Sequence, residues 1–143
     1  MVTNEGVKPD PHKIQVISEF PIPKNKTDVK SFLGLTGYYR KFISQFSKIA
    51  KPLNDLQKKD QEWIWGPNQI ESFQQLKDAL ITEPVLQYPD FTKPFVITTD
   101  ASGFAVGATL SQGKIGQDKP ISYASRTLNK AEQIYSTIEK EQP

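Results

Sequence analysis

Apolar residues recur at spacings of three and four through the first 82 positions, then switch to β-branched runs after residue 85. Asp10-Pro11 reads as a helix cap followed by a first-turn proline, with Ile14, Ile17 and Phe20 on one face and Pro21 and Pro23 ending the segment. Thr27 can cap a second helix with Asp28 in its first turn. Val29, Phe32, Leu33, Tyr39, Phe42 and Ile43 then continue that helix's apolar side, and Tyr38 and Phe46 read as packing residues beside them. Gly34 and Gly37 each cost about 1 kcal/mol relative to Ala in a helix interior. A close backbone approach is the expected reason for both. A third segment carries Phe46, Ile49, Leu53 and Leu56, with Pro52 at an expected break or kink. Trp63-Ile64-Trp65 is a short apolar link. Gly66-Pro67 then opens a helix bearing Ile70, Phe73, Leu76 and Leu80, which Pro84 closes.

The second half reads as sheet. Phe95 to Thr99 is a β-branched strand, and a second strand follows from Phe104 to Leu110 after a turn at Ser102-Gly103. Residues 113–119 form a polar turn, and Pro120 to Thr127 reads as a third strand. Close spacing predicts an antiparallel meander. Ser136-Thr137-Ile138-Glu139 matches a capping box, so a helix is expected to begin near Thr137. The fold class is therefore α+β, divided into a helical segment over 1–82 and a sheet-bearing segment over 83–143. A three-stranded meander has two faces, and a helix usually covers at least one. The expectation is a sheet packed on the helical half, or one that leaves apolar surface bare in an incomplete domain or one that a partner covers.

Composition narrows the chemistry. The chain has 143 residues, no Cys and one His, so disulfides, thiolate metal sites and His-rich metal sites are excluded. Any metal would sit on carboxylates, which favours Mg²⁺ or Mn²⁺. No apolar run is long enough to span a bilayer, and no signal peptide is legible, so no membrane partner is expected. Residues 1–59 hold 11 Lys/Arg against 5 Asp/Glu, whereas residues 60–143 hold 7 against 11. That asymmetry fits phosphate contact by the first half, and it fits a solvated helix face equally. Ser111, Ser125 and His12 form no nucleophile pattern, and His12 is expected to be exposed.

The residues Phe32-Leu33-Gly34-Leu35-Thr36-Gly37-Tyr38-Tyr39-Arg40-Lys41-Phe42-Ile43, then Phe46 to Leu53, resemble the region after the polymerase palm in gypsy-like LTR-retrotransposon Pol polyproteins. Pro84-Val85-Leu86, Pro89-Asp90-Phe91, Thr99-Asp100-Ala101-Ser102, Pro120 to Leu128 and Tyr135 to Glu141 resemble the start of the RNase H domain of the same family. The resemblance runs in order from about Gly6 to Glu141. It implies the end of the palm and a helical thumb/connection over 1–82, then a truncated RNase H-like fold over 83–143. No Tyr/Phe-x-Asp-Asp signature is present, so the chain by itself is not expected to polymerise DNA.

The resemblance places Asp100 as the first metal ligand of an RNase H site and Glu141 as the second. It has no positions here for the later acidic ligands. Two metal ions about 4 Å apart need several convergent carboxylates. Mg²⁺ or Mn²⁺ is therefore expected only if the site is completed, and the chain alone is expected to be inactive. Locally, Asp100 before Ala-Ser-Gly also reads as a turn residue, Glu139 as a cap partner and Glu141 as a solvated terminal charge. The resemblance makes Lys24, Lys26, Lys30, Tyr39, Arg40 and Lys41 candidates for contact with the backbone of an RNA/DNA hybrid; Tyr39 can equally be core and the lysines plain surface. Two further readings stand: an excerpt of an active Pol polyprotein, with reverse transcriptase and hybrid-specific ribonuclease activity, and a domesticated module whose open sheet a protein partner covers. An intracellular location, cytoplasmic or nuclear, is expected.

Overall fold

The computed structural model describes residues 2–3, 6–82, 84–113 and 118–128. The helix expected near Thr137, Glu139 and Glu141 lie outside the described residues. A short hairpin opens the chain: β1 (Val2–Thr3) pairs antiparallel with β2 (Gly6–Val7). Val7 also exchanges backbone hydrogen bonds with Leu86, at 2.8 and 2.9 Å. This tie brings the start of the chain beside the approach to the sheet. The sequence reading missed the hairpin because two-residue strands carry no periodicity.

Four helices follow. α1 (Pro11–Ser18) is capped by Asp10, whose carboxylate accepts from the His12 backbone N–H at 3.0 Å. α2 (Lys26–Tyr38) is capped by Asn25 and not by Thr27; the Asn25 side chain accepts from the Asp28 N–H at 2.9 Å. Asn and Asp are at least as good caps as Thr, and the stronger acceptor one turn from Asp28 won. The apolar run that reads as one helix through Ile43 is broken at Tyr39. A 3₁₀ turn over Arg40–Phe42 intervenes before α3 (Phe46–Leu56). α3 runs on through Pro52 without a break. α4 (Pro67–Ile81) starts at its proline, with the Gln69 side chain accepting from the Gly66 N–H at 3.0 Å.

These helices enclose one apolar cluster. Ile17, Val29, Phe32, Leu53, Leu76 and Leu80 are fully buried in it, and Phe20, Phe32 and Phe73 stack in tilted pairs at 5.3 and 4.6 Å. Lys77 fastens α4 to the end of α1 by donating to the Ser18 and Phe20 carbonyls, and it lies 4.4 Å from the Phe73 ring centroid. Burial there pushes its ammonium pKa down.

The sheet has the order β3 (Val96–Ala101), β4 (Ala105–Gln112), β5 (Lys119–Thr127), all antiparallel. The meander expected from the sequence is present, with a register shift at Leu110/Ser111. Ser111 is buried, and its hydroxyl donates to the Asp118 carboxylate. Cross-strand partners share a face. Thr98, Thr109 and Tyr123 form one row, and Asp100, Gly107 and Ser125 the next. Tyr123 packs on the helical core, so this face looks toward the helices. The opposite face carries Ile97, Leu110, Thr99, Ala108, Ala124 and Val106, and Ile97 on it is 69% exposed. Among the described residues both outcomes expected of a bare meander therefore occur together: one face is packed on the helices and the other is left open.

Candidate nucleic-acid interface and carboxylate site

The exposed side of α2 is a stripe at helical spacing: Lys30, Gly34 and Tyr38, with Thr27 one turn earlier. Tyr38 is 80% exposed, which corrects its reading as a packing residue. Gly34 has nothing within 4 Å of where a Cβ would stand, and Gly37 has only the Phe46 ring edge at 3.9 Å. Neither glycine is explained by helices pressed together. Gly34 instead leaves the floor of a groove clear. The groove is lined by Lys8, Lys13, Leu35, Tyr38 and Lys41, with Asp10 as the one acid among its lining residues.

The six residues singled out from the sequence separate sharply. Lys30 and Lys41 lie on this exposed side. Lys24 is exposed just before α2, where its backbone N–H donates to Asp28 at 3.0 Å. Lys26 donates its ammonium to the Lys58 carbonyl at 2.7 Å. Tyr39 is only 8% exposed and packs edge-on against Tyr38 at 5.0 Å. Burial, aided by the Asp10 carboxylate, pushes its phenol pKa up. Arg40 points at the sheet: Nη2 donates to the Ser125 carbonyl at 2.6 Å, and its guanidinium lies 5.2 Å from the Phe46 ring. Sequence reasoning passed over Lys8 and Lys13. Lys13 sits three residues after the Asp10 cap on the short helix α1, and only the fold brings that helix's start beside Lys41.

Asp100 is exposed on β3. Its Oδ2 accepts from Gln45 Nε2 at 2.8 Å. The turn-residue reading does not describe it: Ser102 makes the turn, with its hydroxyl and backbone bonded to Ala105. Around Asp100 lie Gln45, Lys48, Gly107 and Ser125. Among the described residues no three His, Asp or Glu side chains converge. A site for two divalent cations needs several carboxylates, so the described residues do not supply that oxygen set. Glu141, the second expected ligand, lies outside them.

A helical segment passing into a three-stranded antiparallel sheet, with an acidic residue on its first strand, is consistent with the start of an RNase H-like domain. Residues 65–142 match the family described as the RNase H-like domain found in reverse transcriptase, and the chain belongs to it. The chain is 47% identical over 152 residues to the retrovirus-related Pol polyprotein of the Drosophila melanogaster transposon opus, covering 99% of the chain and 15% of that protein. To the Pol polyprotein of the transposon gypsy, also of Drosophila melanogaster, it is 42% identical over 153 residues, covering 99% and 14%. The chain thus spans about one seventh of the length of these relatives. In fold it resembles the foamy viral protease-reverse transcriptase in complex with RNA/DNA hybrid, at a TM-score of 0.76 and 23% identity over 97% of the chain and 20% of that protein. The same enzyme in complex with double-stranded DNA aligns at 0.76 and 26%, over 97% of the chain and 29% of that protein. The fold and the gypsy-like Pol resemblance read from the sequence are both upheld.

Proposed function

We propose that the chain is a thumb/connection segment, over 1–82, joined to the opening strands of an RNase H-like domain, over 83–143, and that it holds an RNA/DNA hybrid by its backbone. The observation that carries this is the open groove beside α2, where Gly34 leaves room, Tyr38 stands out and Lys13, Lys30 and Lys41 surround them. An exposed ring among ammonium groups suits sugar and phosphate better than it suits a small apolar ligand. Contact of this kind is independent of base sequence and weakens with salt. The hybrid-bound foamy viral enzyme of like fold supports the choice of ligand.

In isolation the chain does not hydrolyse the hybrid. Asp100 accepts from a neutral amide, and no three His, Asp or Glu side chains gather among the described residues. Within a longer Pol polyprotein, Asp100, Glu141 and later acids would hold Mg²⁺ or Mn²⁺, and the metal pair would activate water against the RNA strand. The small share of its relatives that the chain covers favours that second reading for the whole protein. The test is binding and cleavage of a labelled RNA/DNA hybrid with Mn²⁺. It compares this chain, Asp100→Asn and a chain extended with the downstream sequence of a relative. Expected are binding by all three and cleavage by the extended chain alone. Cleavage by the 143-residue chain that Asp100→Asn abolishes would overturn the inactive assignment.

A further inference from the structure

Gln45 sits at the N-cap of α3 with φ 57° and ψ 40°, in the left-handed region, and is the only non-glycine residue with positive φ among the described residues. Its side chain makes no helix cap. Left-handed backbone is costly for a residue with a long side chain. Glycine or asparagine would occupy the position more easily. Two contacts show what the position gains. Gln45 Nε2 donates to Asp100 Oδ2 at 2.8 Å, across 55 residues of chain. Gly107, the cross-strand partner of Asp100, is bare where Gln45 lies: a Cβ there would stand 3.4 Å from Gln45 Cγ. Beside them the Ser47 N–H donates to Ser125 Oγ at 2.8 Å, and Arg40 donates to the Ser125 carbonyl at 2.6 Å.

We propose that Gln45 is a positioning residue, the key of a polar latch that fixes the Asp100 carboxylate and locks the acidic end of β3 to the start of α3. From that left-handed backbone the Gln45 amide crosses Gly107 to reach β3. The latch sets the acidic end of the sheet at a fixed offset from the exposed stripe of α2. It rests on contacts within the chain, so failure to bind a hybrid would leave it standing.

The test is amide hydrogen exchange over 45–50 and 96–112 in the full chain. Gln45→Met keeps the side chain's length and its left-handed cost but has no donor; Asp100→Ala removes the acceptor. Each is expected to lower protection about fivefold, the worth of one hydrogen bond. The double variant should lose no more than either single one. Asp100→Asn, which keeps an acceptor oxygen, should match the wild type. Gln45→Glu with Asp100→Asn exchanges donor and acceptor at unchanged lengths and should restore protection that Gln45→Glu alone loses. A general packing role would give additive losses and no rescue. Additive losses, a failed rescue or a silent Gln45→Met would each overturn the latch.

Discussion

Replacing the cations beside α2 should flatten the salt dependence of hybrid binding by a countable amount. Lys13 and Lys41 line the groove and Lys30 stands on the same exposed side. If each neutralises one phosphate, log K falls with log salt at a slope of about −2.7, or about −0.9 for each contact. Between 50 and 200 mM salt that is a loss of roughly 40-fold. Lys13→Ala with Lys41→Ala should bring the slope to about −0.9 and the loss to roughly 3.5-fold. Lys26→Ala, which removes a donor already engaged by the Lys58 carbonyl, should leave the slope within error. Fluorescence anisotropy of a labelled 18-base-pair hybrid (about the length of the duplexes such a groove could track), titrated at five salt concentrations, reads these slopes directly. A double variant with an unchanged slope would refute the groove as the phosphate site. So would an equal change from Lys26→Ala.

Asp10→Asn should tighten hybrid binding a few-fold, because it removes the groove's acid while Asn still caps α1; anisotropy and a thermal melt together check it. Phe32→Ala should cost about 3–5 kcal/mol in chemical denaturation, since Phe32 is fully buried between Phe20 and Phe73. Burial raises the Asp55 pKa, but hydrogen bonds from Lys51 and Lys58 outweigh it and hold the carboxyl below its usual value. A depressed carboxyl stabilises the fold above its unfolded-state pKa, and that stability is lost as pH falls through the lower folded one. Asp55→Asn should therefore cut stability at neutral pH and flatten its decline in acid, which denaturation across pH 2 to 7 (roughly the carboxyl titration range) would register.

Much of this architecture is legible in the residues, because periodicity reports burial. Spacing places Val29, Phe32, Leu33, Phe42 and Ile43 on the apolar side of their helix, and all are buried. The strands fell within two residues of their observed ends for the same reason. What the pattern cannot carry is the direction of a side chain where the backbone changes type. Tyr38 and Tyr39 are adjacent and alike, yet one is exposed and the other buried. Arg40 and Lys26 look like surface cations until the partner carbonyls, 85 and 32 residues away in sequence, come into view. Gln45 carried no signal, since a polar residue between two apolar runs reads as ordinary linker. The RNase H-like assignment of Asp100 came from motif order and not from local chemistry, which pointed to a turn.

The change of helix type at Tyr39 decides which side chains meet solvent. In an α-helix residues three apart differ by about 60° around the axis, whereas in a 3₁₀ turn they eclipse. Across the turn at Arg40–Phe42, Tyr39 and Phe42 stand three apart and both are buried. Tyr38 and Lys41, also three apart, both face the groove. Arg40 and Ile43 form the third pair: Ile43 is buried, and Arg40 reaches past the core to Ser125 on the sheet. A continuous α-helix would set Lys41 about 60° from Tyr38 around the axis instead of in line with it. The tighter turn thus sorts three successive residues into a groove wall, a core side and a tie to the sheet. The left-handed Gln45 then redirects the chain into α3 in time to hold Asp100. The groove on one side of this corner and the acidic strand on the other are set by the same six residues of backbone, 40–45. Insertion of one alanine after Lys41 would rotate the two out of register. Hybrid affinity and the protection of 96–101 should then fall together, whereas independent elements would lose only one of them.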